Sequence, residues 1–255
     1  MRYFFGVLSY SIKYFFHYRG SSLIWVLAQL IYQYGMYLTT QIYFKLNNHV
    51  ANLSVNQFLI YLASYQMILS FYFIFIEPSH DLLPDRIYDG ELDFYLIKPV
   101  NSFILANFSR FGIESILSLV FPVWMLFKID FFKINDVQTL TVYFIILLMA
   151  AMFYGLVMSI AVLFTFWSTL NISLWKSAEC LLESGSRPMR SYPSVLQVLF
   201  KYALPIPLIM NLPADFLIEG YSFKIFLTSF VSLFATLLFV LYLWRKGLKQ
   251  YASAG

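Results

Sequence analysis

"LTVYFIILLMAAMFYGLVMSIAVLFTF", residues 140–166, runs for 27 residues without a single Asp, Glu, Lys or Arg. An α-helix rises about 1.5 Å per residue, so about 20 apolar residues cross the roughly 30 Å hydrocarbon core of a bilayer. Residues 21–44, 58–76 and 225–244 meet the same two criteria of length and missing charge. The four stretches predict transmembrane helices and place the chain among polytopic membrane proteins.

The composition of the whole chain agrees with this class. Apolar residues make up 60% of the 255 positions and charged residues only 12%, whereas a soluble domain carries about 25% charged residues. The net charge of +4 could indicate a nucleic-acid partner, but the basic residues are scattered among apolar stretches rather than clustered. We therefore expect membrane lipids, and no nucleic acid, around this protein.

Two further stretches are weaker candidates for spans because they carry charge, and only the first of them is long enough to cross a membrane. Residues 104–127 contain Arg110 and Glu114, whose spacing of four places both on one face of a predicted helix. An isolated charge is costly in lipid, so we expect Arg110 to extend to the headgroups and Glu114 to pair with it.

Residues 167–182 form the other charged stretch, which we interpret as a helix shielded by its neighbours. Lys176, Glu179 and Glu183 share one side of this helix, and ionisable side chains within a membrane often mark a substrate or proton route. These three residues are therefore candidates for a substrate path. The alternative is a Lys–Glu pair that only neutralises its own charge near the membrane boundary.

Together these stretches predict an all-α fold with six transmembrane helices in one transmembrane domain, residues 1–255. Residues 1–20 are predicted to form an interfacial helix, because Arg2, Lys13 and His17 share one face and apolar side chains the other. Residues 188–220 hold five prolines, which predict a broken, re-entrant segment before the last span.

Small residues recur every fourth position in two of the spans. Ala151, Gly155 and Ser159 form one such row, and Thr228, Ser232 and Thr236 form the other. Rows of this kind let helices approach each other closely in membranes, so both indicate a packed bundle.

The charged connection between the second and third spans is the most polar part of the chain. Six of the 13 acidic residues lie between Glu77 and Asp93. The basic stretch "WRKGLKQ" after the last span indicates that both termini are cytoplasmic, which places residues 78–100 on the cytoplasmic side as well. Asp81, Asp85 and Asp89 recur every four residues and predict one face of a short helix that Gly90 ends.

Several kinds of chemistry have no support in the sequence. It contains no G-x-x-x-x-G-K-[ST] loop for nucleotide hydrolysis, and its three histidines lie far apart, which makes a zinc site improbable. The one cysteine excludes an intramolecular disulfide. We therefore expect no cofactor, no metal and no catalysis by this chain, although an intramembrane enzyme using Glu179 or Glu183 stays an alternative.

At "RIYDGELDFYLIKPV", residues 86–100, the chain resembles type-2 ABC exporter permeases that carry an Ile-x-x-Gly-x-Leu-Asp-x-x-Leu-x-x-Pro loop after the second span. The matching positions are Ile87, Gly90, Leu92, Asp93, Leu96 and Pro99, with Lys98 before the proline. A later Tyr-Pro, Pro, Pro-Ala order is similar to the same branch, at Tyr192-Pro193, Pro205 and Pro213-Ala214.

The resemblance implies a permease domain that pairs with a second permease subunit, identical or related, in a bacterial plasma (inner) membrane. It also implies that separate ABC ATPase subunits dock on the loop at residues 78–100. The expected ATPase-coupling residues are Asp85, Arg86, Ile87, Gly90, Leu92, Asp93, Leu96, Lys98 and Pro99. The alternative hypothesis is a membrane scaffold that recruits a cytoplasmic partner through the same loop without moving a solute.

Overall fold

The computed structural model describes residues 2–46, 53–131, 136–168, 171–202, 205–220 and 222–251. In these ranges every regular element is helical and no β-strand occurs, which confirms the all-α prediction. The first half of the chain contains α1 (Arg2–His17), α2 (Arg19–Leu46), α3 (Val55–Phe75), α4 (Glu77–Tyr88), α5 (Asp93–Leu96), α6 (Ser102–Asn107), a 3₁₀-helix (Glu114–Leu119) and α7 (Val120–Lys128).

The second half is built around one long central helix. It contains α8 (Val137–Leu163) with a 3₁₀ extension (Phe164–Phe166), α9 (Asn171–Glu183), two 3₁₀ turns (Ser184–Ser186 and Met189–Ser191), α10 (Ser194–Tyr202), α11 (Ile206–Met210), α12 (Leu212–Glu219) and α13 (Phe223–Gln250).

Three helices in the described ranges are long and apolar enough to cross a membrane: α3, α8 with its extension to Phe166, and α13. Two of them begin at a polar cap that satisfies free backbone N–H groups. Ser54 forms a capping box with Gln57 at the start of α3, and Asp136 accepts a hydrogen bond from the Thr139 N–H at the start of α8. α2 covers the predicted first span as one continuous helix, although it is less apolar.

α8 forms the centre of the bundle and packs against α3, α9, α12 and α13. Ala151, Gly155 and Ser159 are all buried, as their four-residue repeat predicts. A Cβ atom on Gly155 would clash with the Ile76 side chain, at the link between α3 and α4. The second predicted row, on α13, is not buried in the same way. Thr228 is exposed, and α13 buries few of its described residues within this chain.

The predicted third span is not one helix, and this corrects the expected stacking of Arg110 on Glu114. α6 ends at Asn107, and regular helix resumes only at Glu114. The unwound backbone between them finds hydrogen-bond partners elsewhere: Ser79 Oγ, Ser11 Oγ and the Ile74 carbonyl. Because these distant groups replace the helical hydrogen bonds, the apolar pattern does not impose a continuous helix here.

The last two predicted segments are also short. α9 has 13 residues, which span about 20 Å and fall short of the bilayer core. Residues 188–220 are broken as predicted, with α10, α11 and α12 beginning at or next to Pro193, Pro205 and Pro213. Their re-entry into the membrane, and the count of six spans, stay predictions.

Candidate functional site

α4 has the two faces that the sequence predicts. Leu83 and Ile87 are buried, while Asp81, Asp85 and Asp89 are exposed. Gly90 ends the helix with φ at +75°, in the left-handed region that costs glycine little. Tyr88 is exposed as well.

The rest of the connection presents apolar side chains outward. Leu92 is fully buried, but Phe94, Leu96, Ile97 and Val100 are exposed, with Ile97 at 80%. We call these four residues the apolar tip. Lys98 and Pro99 are exposed beside it, and Asp93 is partly buried at the start of α5.

The underside of this connection packs on two long helices. Leu83, Ile87 and Leu92 share one buried cluster with the end of α8 and the last turns of α13. Trp244 of α13 contacts the rings of Phe103 and Phe166 within this cluster. The buried side of the connection therefore shares its packing with the ends of α8 and α13.

Arg86 joins the two halves of the connection. Its guanidinium donates a 2.6 Å hydrogen bond to Ser109 Oγ and lies 4.9 Å from the centre of the Tyr95 ring. Lys98 Nζ lies 5.0 Å from the centre of the same ring. Cation–π contacts of this kind contribute about 0.5–1 kcal/mol at exposed sites. Tyr95, which the sequence did not single out, thus holds α5 against α4.

The N-terminal helix meets α4 through the unwound segment. Ser11 Oγ accepts a 2.8 Å hydrogen bond from the Phe111 N–H. Ser79 Oγ of α4 accepts from the N–H groups of Ser109 and Arg110 at 3.0 and 3.2 Å. The Arg110 guanidinium lies 4.3 Å from the centre of the Tyr14 ring. Helices α1 and α4 therefore both accept hydrogen bonds from the backbone of residues 109–111.

His80 is the most connected side chain of α4 and is completely buried. Its Nε2 lies 2.8 Å from Asn107 Oδ1 and its Nδ1 3.2 Å from the Tyr72 hydroxyl. Because Asn107 donates its own amide N–H to the Phe103 carbonyl, its Oδ1 accepts from His80. The proton of the neutral ring is therefore on Nε2, and Nδ1 accepts from Tyr72.

Two titratable groups of α4 have shifted pKa values. Burial lowers the pKa of His80 from 6.5 to about 4, so the ring is neutral at pH 7. Burial raises the pKa of Glu77 to about 7, with nearby Asp81 acting in the same direction and Arg110 opposing it. The start of α4 thus contains a carboxyl group that titrates near neutrality.

The predicted path residues lie between two cavities that share Lys176 and Glu179. One is an open cavity of about 380 Å³, which is lined by residues of α2, α3, α8 and α9 and also contains Glu183. The other, of about 420 Å³, lies between α9 and α4 and is lined by His80, Asp81 and Asp85. The structure therefore brings Asp85, a predicted coupling residue, to the same cavity as two predicted path residues.

The predicted alternative, a self-neutralising Lys–Glu pair, stays open, although the described residues show no direct ion pair of this kind. In the described part of the chain, neither Glu179 nor Glu183 has a Lys or Arg nitrogen within 4.0 Å. Glu179 instead accepts a 3.0 Å hydrogen bond from the Trp175 indole N–H. Both carboxylates are left available to a molecule in the cavity.

Sequence reasoning missed His80, Ser79, Ser11 and Tyr95. The histidine was considered only as a metal ligand, and the described residues contain no cluster of three His, Cys, Asp or Glu side chains that could hold a metal ion. The sequence did contain one signal for Ser79 and His80, since both lie on the apolar side of an acidic helix. Polar side chains buried there require hydrogen-bond partners.

Comparisons with known proteins identify the family of this chain. The comparison with curated proteins and the comparison with solved structures each gave no match. The family model described as "ABC-2 family transporter protein" matches residues 30–255, which confirms the predicted type-2 ABC permease. Permeases of this family are transmembrane subunits, generally non-catalytic, that typically partner with ABC ATPases. Because the match covers most of its length, the chain belongs to the ABC-2 family of transporter proteins.

Proposed function

We propose that this chain is the permease subunit of an ATP-driven ABC exporter in a bacterial plasma membrane, with both termini in the cytoplasm. Two such subunits, identical or related, pair in the membrane, and two separate ATPase subunits dock beneath them. The six crossings consist of α2, α3, the broken segment from α6 to α7, α8, α9 with its neighbouring turns, and α13. Family membership supports the transport role.

The observation that carries the coupling proposal is the two-sided construction of residues 78–100. One side is buried against the ends of α8 and α13, and the other presents the apolar tip and a row of exposed aspartates. An exposed apolar patch rimmed by polar residues is typical of a protein–protein contact site. We propose that the ATPase contacts the tip and that the buried side transmits its movement.

The transmission route follows from the contacts of α4. ATP-driven closure of the ATPases pushes on α4 and α5, and the cluster around Leu83 passes the displacement to α8 and α13. His80 passes it to α9 through edge-to-face contact with Trp175, with ring centres 6.2 Å apart. Because Asp85 lines the same cavity as Lys176 and Glu179, the movement reshapes the proposed substrate path.

The test compares two exposed positions in the permease copurified with its ATPase. Ile97 at the tip and Val137 at the start of α8 are each 80% exposed, so replacing either by Asp removes little packing within the chain. We expect Ile97→Asp to lower permease-stimulated ATP hydrolysis about fivefold or more, whereas Val137→Asp behaves like the wild type. Asp93→Lys should act like Ile97→Asp, with membrane insertion unchanged in all three variants.

Two outcomes would contradict the proposal. Wild-type ATP hydrolysis and transport in both Ile97→Asp and Asp93→Lys would show that the ATPase does not engage this loop. A cytoplasmic partner that is captured through the tip, but that neither hydrolyses ATP nor supports solute movement, would favour the scaffold hypothesis instead.

A further inference from the structure

The cavities on the two sides of Lys176 carry a strong excess of negative charge. Their walls contain four carboxyl groups, those of Asp81, Asp85, Glu179 and Glu183, against the single ammonium group of Lys176. His80, the other titratable base in these walls, is neutral at pH 7. Glu179 lines both cavities, so the carboxyl groups extend from the exposed face of α4 to the cavity that α2 and α3 border.

Aromatic side chains surround the inner part of this row. Tyr32, Tyr65, Phe73 and Tyr154 line the cavity that holds Glu179 and Glu183. Aromatic faces attract cations, and the attraction is larger in a partly desolvated site. Carboxylates combined with aromatic rings therefore favour a cation with an apolar body over an anion or a neutral sugar.

An unpaired polar group provides a second, independent indication of a ligand. Gln29 lines the same cavity, and its amide nitrogen is buried without a hydrogen-bond partner in the described part of the chain. A buried donor without a partner costs free energy, so such groups usually bind something. Because this nitrogen is inaccessible to solvent, the Gln29 side chain must turn towards the cavity before it can donate to a ligand's carbonyl or ether oxygen.

We propose that the cavity between α2, α3, α8 and α9 binds an amphipathic organic cation that also carries a hydrogen-bond acceptor. Glu179 and Glu183 contact the cationic group, the tyrosine and phenylalanine rings enclose the apolar body, and Gln29 donates to the acceptor. Asp81 and Asp85 attract the cation from the cytoplasmic side. This inference rests on the proposed export function, because it names the substrate class of the same path.

The single cysteine of the chain makes this proposal testable without mutation. Cys180 is exposed and lines the same cavity. We compare its modification rates with the trimethylammonium and sulfonate forms of ethyl methanethiosulfonate, using the permease alone in nanodiscs. The rate with the cationic reagent is divided by the rate with the anionic reagent. This ratio is then divided by the same ratio for free mercaptoethanol, so that differences in thiolate fraction and intrinsic reactivity cancel. We expect the ratio to favour the cationic reagent by about tenfold.

Two further measurements connect the charge preference to binding. Rhodamine 123, a cationic ester, should protect Cys180 from modification, whereas fluorescein methyl ester, an anion of the same skeleton at pH 8, should not. Glu183→Gln should weaken rhodamine 123 binding about tenfold and reduce the preference for the cationic reagent. Equal protection by both dyes, or a wild-type rate ratio no greater than that of mercaptoethanol, would overturn the proposal.

These measurements need no ATPase, so they separate the two proposals. Cation-selective binding together with unaffected ATP hydrolysis in Ile97→Asp would reject the coupling proposal alone. Loss of coupling in Ile97→Asp together with no cation preference at Cys180 would reject the substrate class alone.

Discussion

The imidazole Nε2 of His80 and the hydroxyl oxygen of Ser159 lie 3.1 Å apart, which joins α4 to the carboxyl-terminal part of α8 across 79 positions of sequence. His80 also reaches Tyr72 on α3 and Asn107 on α6. One neutral ring thus holds together the loop proposed to receive the ATPase and the helices proposed to move.

His80→Ala should destabilise the protein by about 2–4 kcal/mol, because it opens a cavity and leaves Asn107 and Tyr72 without their partner. Ser159→Ala is the matched control and should cost less, since the Ser159 hydroxyl also bonds the Gly155 carbonyl in its own helix. Thermal unfolding in one detergent measures both variants. A smaller loss in His80→Ala than in Ser159→Ala would contradict the central role of the ring.

The lowered pKa of His80 predicts acid sensitivity. The folded-state pKa, about 4, lies below the ordinary value of 6.5, so the stabilising contribution is complete above pH 6.5 and is lost as the pH falls towards 4. His80→Gln keeps a polar side chain but cannot take up this proton. Its unfolding temperature should fall less than that of the wild type between pH 6.5 and 4.5.

Glu77 should act in the opposite direction. Its pKa is raised from 4.5 to about 7 in the folded protein, so its protonated form stabilises the fold below pH 4.5 and this contribution is lost as the pH rises through 7. Glu77→Gln should therefore unfold at a higher temperature than the wild type at pH 8, and at a similar temperature at pH 5. Equal unfolding temperatures at pH 8 would show that the carboxyl group is solvated.

Gly112 should not tolerate a methyl group. A Cβ atom there would lie 2.5 Å from the Phe73 carbonyl oxygen, a backbone atom that cannot turn away. Gly112→Ala should lower stability by about 1–3 kcal/mol. Gly35→Ala is the matched control, because nothing lies within 4 Å of its Cβ position in α2, and alanine there should be neutral or stabilising by up to about 1 kcal/mol. Thermal unfolding of both variants provides the comparison.

Gly90 requires a left-handed backbone with φ at +75°. Gly90→Asn should keep ATPase coupling, because asparagine adopts this conformation more readily than other side chains. Gly90→Val should lower permease-stimulated ATP hydrolysis, because valine shifts the end of α4 and with it Leu92. If both variants couple equally well, the geometry of this turn is not needed for coupling.

Much of the fold follows from local pattern. The uncharged stretch at residues 140–166 predicted α8, and the spacing of Asp81, Asp85 and Asp89 predicted α4 and its exposed face. The prolines predicted the breaks between α10, α11 and α12. These predictions succeed because length, charge and backbone restriction act within one or two turns of helix.

Other features depend on residues that are distant in sequence. Residues 108–113 have an apolar pattern that suits a helix, yet they unwind because Ser11, Ser79 and the Ile74 carbonyl take over their hydrogen bonds. The neighbours of His80 lie on α3, α6 and α8, so no local pattern identifies them.

The sequence by itself determined that this chain lives in a membrane and that residues 78–100 form a charged connection with a glycine-ended helix. Burying charged side chains in lipid is costly, so a chain with such apolar spans places most of its charged residues in the connections between them. Only the tertiary structure decided that Asp85 meets Lys176 and Glu179 at one cavity, and that Glu179, within the described ranges, has no Lys or Arg nitrogen within 4.0 Å. Those relationships arise from the packing of α4 and α9 around α8, which brings together side chains more than 80 positions apart.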